Sequence, residues 1–319
     1  MTVRWLMSLR LIGLFKEKIM NVREVLITEV CPRDGFQNID KFIETETKIE
    51  IVDSLIQAGF KKIQVTSFVN PKAVPQMRDA TEVAKHMISK YPDILFTALV
   101  PNLKGAQLAS DCGIKEVSYV VSASERHNQE NVRRSISESF DELKIIKSNL
   151  PHLRVKVDIA TAFGCPFLGD IPLEQVEFMI DNSIQIGADE IFLADTIGIG
   201  NPMQVDRMLK VLKVKYPDLR FGFHMHDTRG MGLANILVAL QNGYDKFEAA
   251  TGGLGGCPFA PGAAGNVATE DLINMLHSME IRTGVDLNKL LDTTNIIKGK
   301  IKPELVSHMS NVSICDTER

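Results

Sequence analysis

The run Phe221-Gly-Phe-His-Met-His-Asp-Thr-Arg-Gly230, followed by the largely apolar residues 232–242 and closed by Gly243, holds one complete structural unit. Its first half is short and apolar, as in a buried strand. The second half is polar and glycine-bounded, as in a loop, and the part that follows spaces its apolar residues as a helix does. Gly243 supplies the left-handed residue that stops the helix. Side chains alternate along a strand, so His224 and His226 project to one side and Met225 to the other. Two imidazoles side by side at a strand end are a candidate ligand pair for one divalent ion. An isolated His-x-His is more often two hydrogen-bonded or solvated histidines, so the surrounding chain has to decide.

The same unit recurs about every 30 residues from Val25 onward. Strand-like runs fall at 25–31, 62–68, 95–100, 117–121, 155–160, 190–194, 221–225 and 247–251, with helix-like stretches at 45–58, 76–90, 137–148, 173–186, 202–216 and 232–242 between them. Ala58-Gly59, Cys112-Gly113, Ile186-Gly187 and Asn242-Gly243 each place a glycine where a helix must end before the next strand. Eight such units within about 250 residues predict an α/β fold of the (β/α)8 TIM-barrel type. The runner-up, a doubly wound open sheet, usually carries GxGxxG after its first strand, and this chain has none there. The reading divides the chain into a dispensable N-terminal extension (1–20), a catalytic barrel (21–291) and a tail (292–319). Across the start of the last part, 284–301 reads as a short C-terminal helical extension, and the final stretch of about fifteen residues as polar and loose.

Of the 319 residues, 45% are hydrophobic, enough for a core of barrel size. A net charge of −4 with both signs interspersed speaks against a nucleic-acid surface, and no apolar run reaches the length of about 18 residues that a membrane span needs. Five widely spaced cysteines without a CxxC pair fit reduced thiols in a cytoplasmic enzyme better than a disulfide framework. Residues 1–20 are mildly basic and apolar but lack a small-residue cleavage site. They read as an extension or an early start with Met20 the functional beginning; a signal peptide and a surface-binding helix are the alternatives.

Barrel active sites lie at the C-terminal ends of the strands. On that rule Arg33 and Asp34 follow the first strand, Asp195 the sixth, and Asn266 the glycine-rich stretch after the eighth, while His224 and His226 end the seventh. Asp34, His224, His226 and Asn266 offer a carboxylate, two imidazole nitrogens and an amide oxygen. That mixed set suits a six-coordinate divalent ion, Mg2+ or Mn2+, with Zn2+ as the alternative. Arg33 cannot lose its proton and could hold an enolate or thioester oxygen; its plainer role is a salt bridge at the mouth. The run Gly252-Gly-Leu-Gly-Gly-Cys-Pro-Phe-Ala-Pro-Gly262 has the glycine content of a loop that can close over a substrate and bring Cys257 with it. Cys112, Cys165 and Cys315 read as non-catalytic.

Together, Pro32-Arg-Asp-Gly-Phe-Gln-Asn38, Thr66-Ser-Phe-Val-Asn-Pro-Lys72, Val100-Pro-Asn-Leu-Lys-Gly105, Ser122-Ala-Ser-Glu125, Ala194-Asp-Thr-Ile-Gly198, His224-Met-His-Asp-Thr-Arg-Gly230 and Gly253-Leu-Gly-Gly-Cys-Pro-Phe259 with Gly265-Asn266 resemble the 3-hydroxy-3-methylglutaryl-CoA lyase family. The resemblance implies that Asp34, His224, His226 and Asn266 bind the metal and that Arg33 steadies an enolate. It implies proton transfer by His224 and Asp195, and a role for Cys257 from its loop. It also implies an acyl-CoA partner, cleavage to acetoacetate and acetyl-CoA as in leucine degradation and ketone-body metabolism, and a homo-oligomer, dimer or tetramer. The chemistry is consistent: a tertiary alcohol is mismatched to a histidine base by about 9 pKa units, roughly 12 kcal/mol, and a divalent ion on the hydroxyl removes much of that gap.

The chain departs from the family pattern at four positions. Gln64 stands where the family usually has a glutamate, which removes a charge beside the metal and a possible partner for Arg33. Cys31 and Phe36 replace a glycine and a leucine. Asp158 stands where an aromatic substrate contact is usual and places a carboxylate in the mouth. Gln64 and Asp158 are therefore taken as substrate-pocket positions. They leave open a same-mechanism lyase for another branched 3-hydroxy acyl-CoA, and beside it a non-catalytic metal-binding barrel with a binding or regulatory role.

Overall fold

The computed structural model describes residues 22–256 and 265–312; the extension 1–20, Cys257 and Cys315 lie outside the described residues. Eight strands, β1 (Leu26–Glu29), β2 (Lys62–Ser67), β3 (Leu95–Leu99), β4 (Glu116–Ser122), β5 (Arg154–Ala160), β6 (Glu190–Asp195), β7 (Gly222–Met225) and β8 (Lys246–Ala249), pair in parallel and in sequence order, and β8 returns to β1 to close a barrel. Around it run α1 (Thr45–Ala58), α2 (Ala80–Lys90), α3 (Leu103–Asp111), α4 (Glu125–Val132), α5 (Ile136–Asn149), α6 (Leu173–Ile186), α7 (Pro202–Lys215), α8 (Gly232–Gln241), α9 (Thr269–Ser278) and α10 (Leu287–Lys300). This is the (β/α)8 fold expected from the repeat.

Local chemistry explains the element ends. In α7, Val205, Met208, Leu209 and Leu212 form the buried stripe, while Asn201 caps the first turn and Pro202 opens it. Helix α1 stops at Gly59, whose φ of 114° suits glycine alone and whose missing Cβ would sit 2.3 Å from the Gly284 carbonyl oxygen. Three helices, α3, α4 and α9, escape the periodic reading. Helix α4 is polar except for its last residue, Val132, and buries only His127 and Asn128, so the cap from Ser124 rather than an apolar stripe defines it. The stretch expected as a helix at 76–90 is split by a 3-10 turn at Pro75–Met77. Strand β1 ends two residues early because Cys31–Gly35 coil into a π-helical turn, and β8 ends before the 3-10 turn Thr251–Gly253.

The C-terminal segment differs most from expectation. Helix α10 runs unbroken across position 291 and joins α1 through a Ser54–Thr293 hydroxyl bond of 2.7 Å. Beyond it, the described residues up to 312 are docked, not loose: Leu305 and Ser307 are buried, and the amides of His308 and Met309 donate to Asp271 at 2.9 and 2.7 Å. The rest of the stretch expected to be loose, 313–319, lies outside the described residues.

Apolar side chains fill the space between strands and helices, but the lumen of the barrel is polar. Lys62, Glu116, Glu190 and Lys246 open the four even-numbered strands and pair with one another, Lys62 reaching Glu190 across the barrel at 2.7 Å. Two residues further on, Gln64, Ser118, Phe192 and Glu248 form the next layer, with Gln64 bonded to Ser118 at 2.7 Å. Lys156 of β5 bonds Glu248 of β8, a pairing that only the lumen permits. Gly222 makes room for it: a Cβ there would lie 2.2 Å from the Phe192 ring. Going up this ladder, the charges change from mutually cancelled to convergent.

Candidate active site

The turn Cys31–Gly35 delivers Arg33 and Asp34 to the C-terminal mouth. Glu29 anchors it, accepting the Cys31 amide at 2.8 Å and the Thr251 amide at 3.0 Å, with hydroxyls of Thr251 and Thr269 on its second oxygen. Burial pushes the Glu29 carboxyl up to about 7 against those donors. Gly35 lets the turn pack beneath Leu254, whose Cβ would be 3.0 Å from a side chain there. Arg33 and Asp34 are both buried and bonded to each other. The Gln37 amide, at 2.9 Å, shares an Asp34 oxygen with Arg33, and the Asn266 amide donates to the other at 2.6 Å. Burial raises the Asp34 carboxyl, but Arg33, the two histidines and Asn266 outweigh it and hold the group below the ordinary carboxylate value.

His224 and His226 close the site from β7. Glu248 accepts from His224 Nδ1 at 2.8 Å, which leaves His224 Nε2 facing His226 Nε2 at 3.1 Å. Burial lowers the His224 ring, yet Glu248 and Asp34 raise it above its usual value. His226, buried and beside a positive neighbour, is pushed down to about 4. A proton between the two rings satisfies that geometry, and so does a cation. Ligand atoms of Asp34, His224 and His226 all lie within 4.8 Å of one another.

Asn266 joins them because the segment after β8 returns beside β7, with the Val267 amide on Met225 O at 3.1 Å and the Asp227 amide on Gly265 O at 2.9 Å. The Asn266 amide nitrogen is engaged by Asp34 and by Leu254 O, while its buried Oδ1 has no partner among the described residues. A buried carbonyl oxygen without a donor, next to a carboxylate and two facing imidazoles, fits a bound divalent cation. Four residues expected at the metal are thus brought together.

The remaining expected residues are placed less simply. Gln64 is buried and its amide oxygen accepts from Arg33 Nε, so Arg33 keeps a partner there despite the absence of a carboxylate. Asp158 lies level with Phe192 in the barrel register, and it is not a free charge: Lys156 Nζ lies 2.7 Å from it. Asp195 ends β6 beside Met225, and its two oxygens accept the Ile199 and Gly200 amides at 3.0 and 2.9 Å. Burial, opposed by those amides, pushes its carboxyl up to about 6. Cys165 is buried with its sulfur 3.0 Å from Ser124 Oγ.

Sequence reasoning passed over Glu29, Lys156, Glu248 and Glu270. The last of these, also buried, accepts the Gly252 amide at the root of the glycine-rich run. A signal for one of them, Lys156, exists in Arg154-Val-Lys-Val-Asp158, where every second residue of a strand enclosed by apolar neighbours is charged.

Comparison with known proteins adds to this geometry. The model of the family described as HMGL-like matches residues 24–297. Hydroxymethylglutaryl-CoA lyase of Bacillus subtilis is 43% identical over 287 residues, 89% of this chain and 96% of that relative. (R)-citramalyl-CoA lyase of Chloroflexus aurantiacus is 39% identical over 296 residues, 88% and 93% of the two chains. The structure of an HMG-CoA lyase from Acinetobacter baumannii in complex with coenzyme A and 3-methylmalate superposes with a TM-score of 0.87 at 38% identity, covering 93% of this chain and 98% of the other.

Proposed function

The chain belongs to the HMGL-like family, and on that premise we propose that it is a divalent-metal-dependent carbon–carbon lyase that cleaves 3-hydroxy-3-methylglutaryl-CoA to acetoacetate and acetyl-CoA. The observation that carries this reading is the meeting of Asp34, His224 and His226 within 4.8 Å, beside Arg33, at the mouth of the barrel. Coenzyme A in the Acinetobacter baumannii structure supports the acyl-CoA class of substrate.

In the reaction the hydroxyl proton leaves, the bond between the carbinol carbon and the α carbon of the thioester breaks, and the resulting enolate takes up a proton at carbon. A divalent ion held by Asp34, His224, His226 and the Asn266 oxygen, Mg2+ or Mn2+ by its oxygen-containing donor set, would supply the polarisation that makes the hydroxyl acidic. Arg33 meets the charge that grows on the thioester oxygen. Gln64 and Asp34 hold its guanidinium in advance, so little reorganisation is needed when the bond breaks. His224 has its Nδ1 committed to Glu248, which leaves one nitrogen for both ligation and proton transfer. Those roles compete, so the proton steps fall mainly to Asp195, whose carboxyl near 6 suits exchange around neutrality, and to Cys257.

The test is direct. Full-length protein loaded with Mn2+ is expected to release equimolar acetoacetate and acetyl-CoA from 3-hydroxy-3-methylglutaryl-CoA, and to stop when a chelator is added. Absence of product from protein with confirmed bound metal overturns the reading. Citramalyl-CoA, the substrate in the name of the Chloroflexus relative, is expected to turn over more slowly.

A further inference from the structure

Lys156 is buried inside the barrel, and nothing in the proposed chemistry uses it. Its ammonium lies 4.4 Å from the centroid of the Phe192 ring, bonds one oxygen of Glu248 and sits 2.7 Å from Asp158. The other oxygen of Glu248 takes the Nδ1 proton of His224 at 2.8 Å. No further side chain among the described residues bonds Glu248. A chain of contacts therefore runs from β5 across the lumen to β8 and on to the imidazole of β7.

We propose that Lys156 is a positioning residue for the metal centre: it fixes Glu248, and Glu248 fixes the ring of His224 with Nε2 turned toward Asp34 and His226. The inference rests on the reading of those three residues as ligands. An ammonium carries three donors and no acceptor, so it bridges two carboxylates without needing a partner of its own. Lys156 and Asp158 are two apart on β5 and face the same way, which puts the bridge on the lumen side. Without the ammonium, Glu248 loses the contact that sets its rotamer and faces a second buried carboxylate, Asp158, across the vacated space. The imidazole it orients is then free to turn. Gly222 belongs to the same device, because only its missing side chain lets Phe192 lie under the lysine.

The experiment is Mn2+ binding to metal-stripped full-length protein, read from the spin-resonance signal of the free ion, with the melting temperature of the metal-free protein measured alongside. K156M and E248Q are expected to raise the Mn2+ Kd about 10–100-fold, the range for partners that orient a ligand. K156R, which keeps the bridging charge, is expected within about threefold of wild type. The double variant K156M/E248Q is expected to bind no more weakly than the weaker single, because both break one chain of contacts. A merely structural lysine would lower the metal-free melting temperature and leave the Kd alone. Values for K156M and E248Q within about twofold of wild type overturn the proposal. Should K156M fail to fold, the other two variants decide: tight binding by E248Q, or binding by K156R as weak as that of E248Q, overturns it. Failure of wild type to bind Mn2+ refutes the ligand assignment itself, whereas tight wild-type binding untouched by K156M and E248Q refutes only the positioning role.

Discussion

The two ends of the barrel lumen use the same residue types to opposite effect. At the N-terminal end each carboxylate has a cation on both oxygens: Glu116 lies 2.6 Å from Lys62 and 3.2 Å from Arg154, and Glu190 lies 2.7 Å from Lys62 and 2.5 Å from Lys246. Each of these carboxylates is neutralised by adjacent cations. At the C-terminal end Asp34, His224, His226 and Asn266 are held just as firmly, but by partners behind them. Glu248 stands behind His224, Gln37 supports Asp34, and Leu254 engages the amide nitrogen of Asn266. Their remaining donor atoms face one another across a gap of a few ångströms. A saturated polar cluster stabilises a fold, whereas a convergent and unsaturated one binds something.

Substitutions at the two ends should therefore separate activity from stability. The largest effect is expected at the mouth, where Asp34→Asn or His226→Ala should cut kcat/KM by more than about 100-fold, the upper range for a residue that merely supports a ligand. Circular dichroism should show the fold intact; near-wild-type turnover would erase the contrast between the ends. Arg33→Met is expected to lower kcat by about 100- to 1000-fold with metal affinity retained, which steady-state kinetics and Mn2+ titration together would check.

Glu190→Gln should do the reverse, leaving kcat within about twofold while removing up to about 3 kcal/mol of stability in urea unfolding at neutral pH. Burial alone would raise the Glu190 carboxyl, but Lys62 and Lys246 hold it down at about 2, against an ordinary 4.5. Because the folded value is the lower one, this contribution is complete above pH 4.5 and fades as pH falls toward 2. The variant should lose that acid slope, and an unchanged slope would show that the pairs contribute nothing. The smallest effect is expected for Gln64→Glu, with activity within about threefold, under 1 kcal/mol, since either side chain presents an oxygen to Arg33 and Ser118 can turn its hydroxyl to suit. A change of tenfold or more would mean that the charge at this position, rather than the hydrogen bond, sets the behaviour of Arg33.

The barrel was legible in the chain because each strand–helix unit carries its own start and stop chemistry, from Asn201-Pro202 at one helix to Gly59 after another. The mouth was legible because the fold rule sends the ends of all strands to one place, so Asp34, His224, His226 and Asn266 needed no long-range information. The supports behind them were not. Lys156 and Glu248 are 92 positions apart and Lys62 and Glu190 are 128 apart, and nothing local to either member names its partner. For the same reason Asp158 read as a new charge offered to substrate, when a lysine two residues earlier on the same strand already compensates it. The C-terminal segment read as loose because it is polar, yet two backbone amides and the His308 ring hold it to Asp271, and Leu305 packs against Gly252.

The most direct measurement is the stoichiometry and affinity of Mn2+ on metal-stripped wild type, Asp34→Asn and Glu190→Gln, taken side by side. One ion per chain is expected in wild type and in Glu190→Gln, with binding lost in Asp34→Asn. Equal binding by all three, or loss of the ion in Glu190→Gln with retention in Asp34→Asn, would contradict the assignment of the metal to the C-terminal mouth.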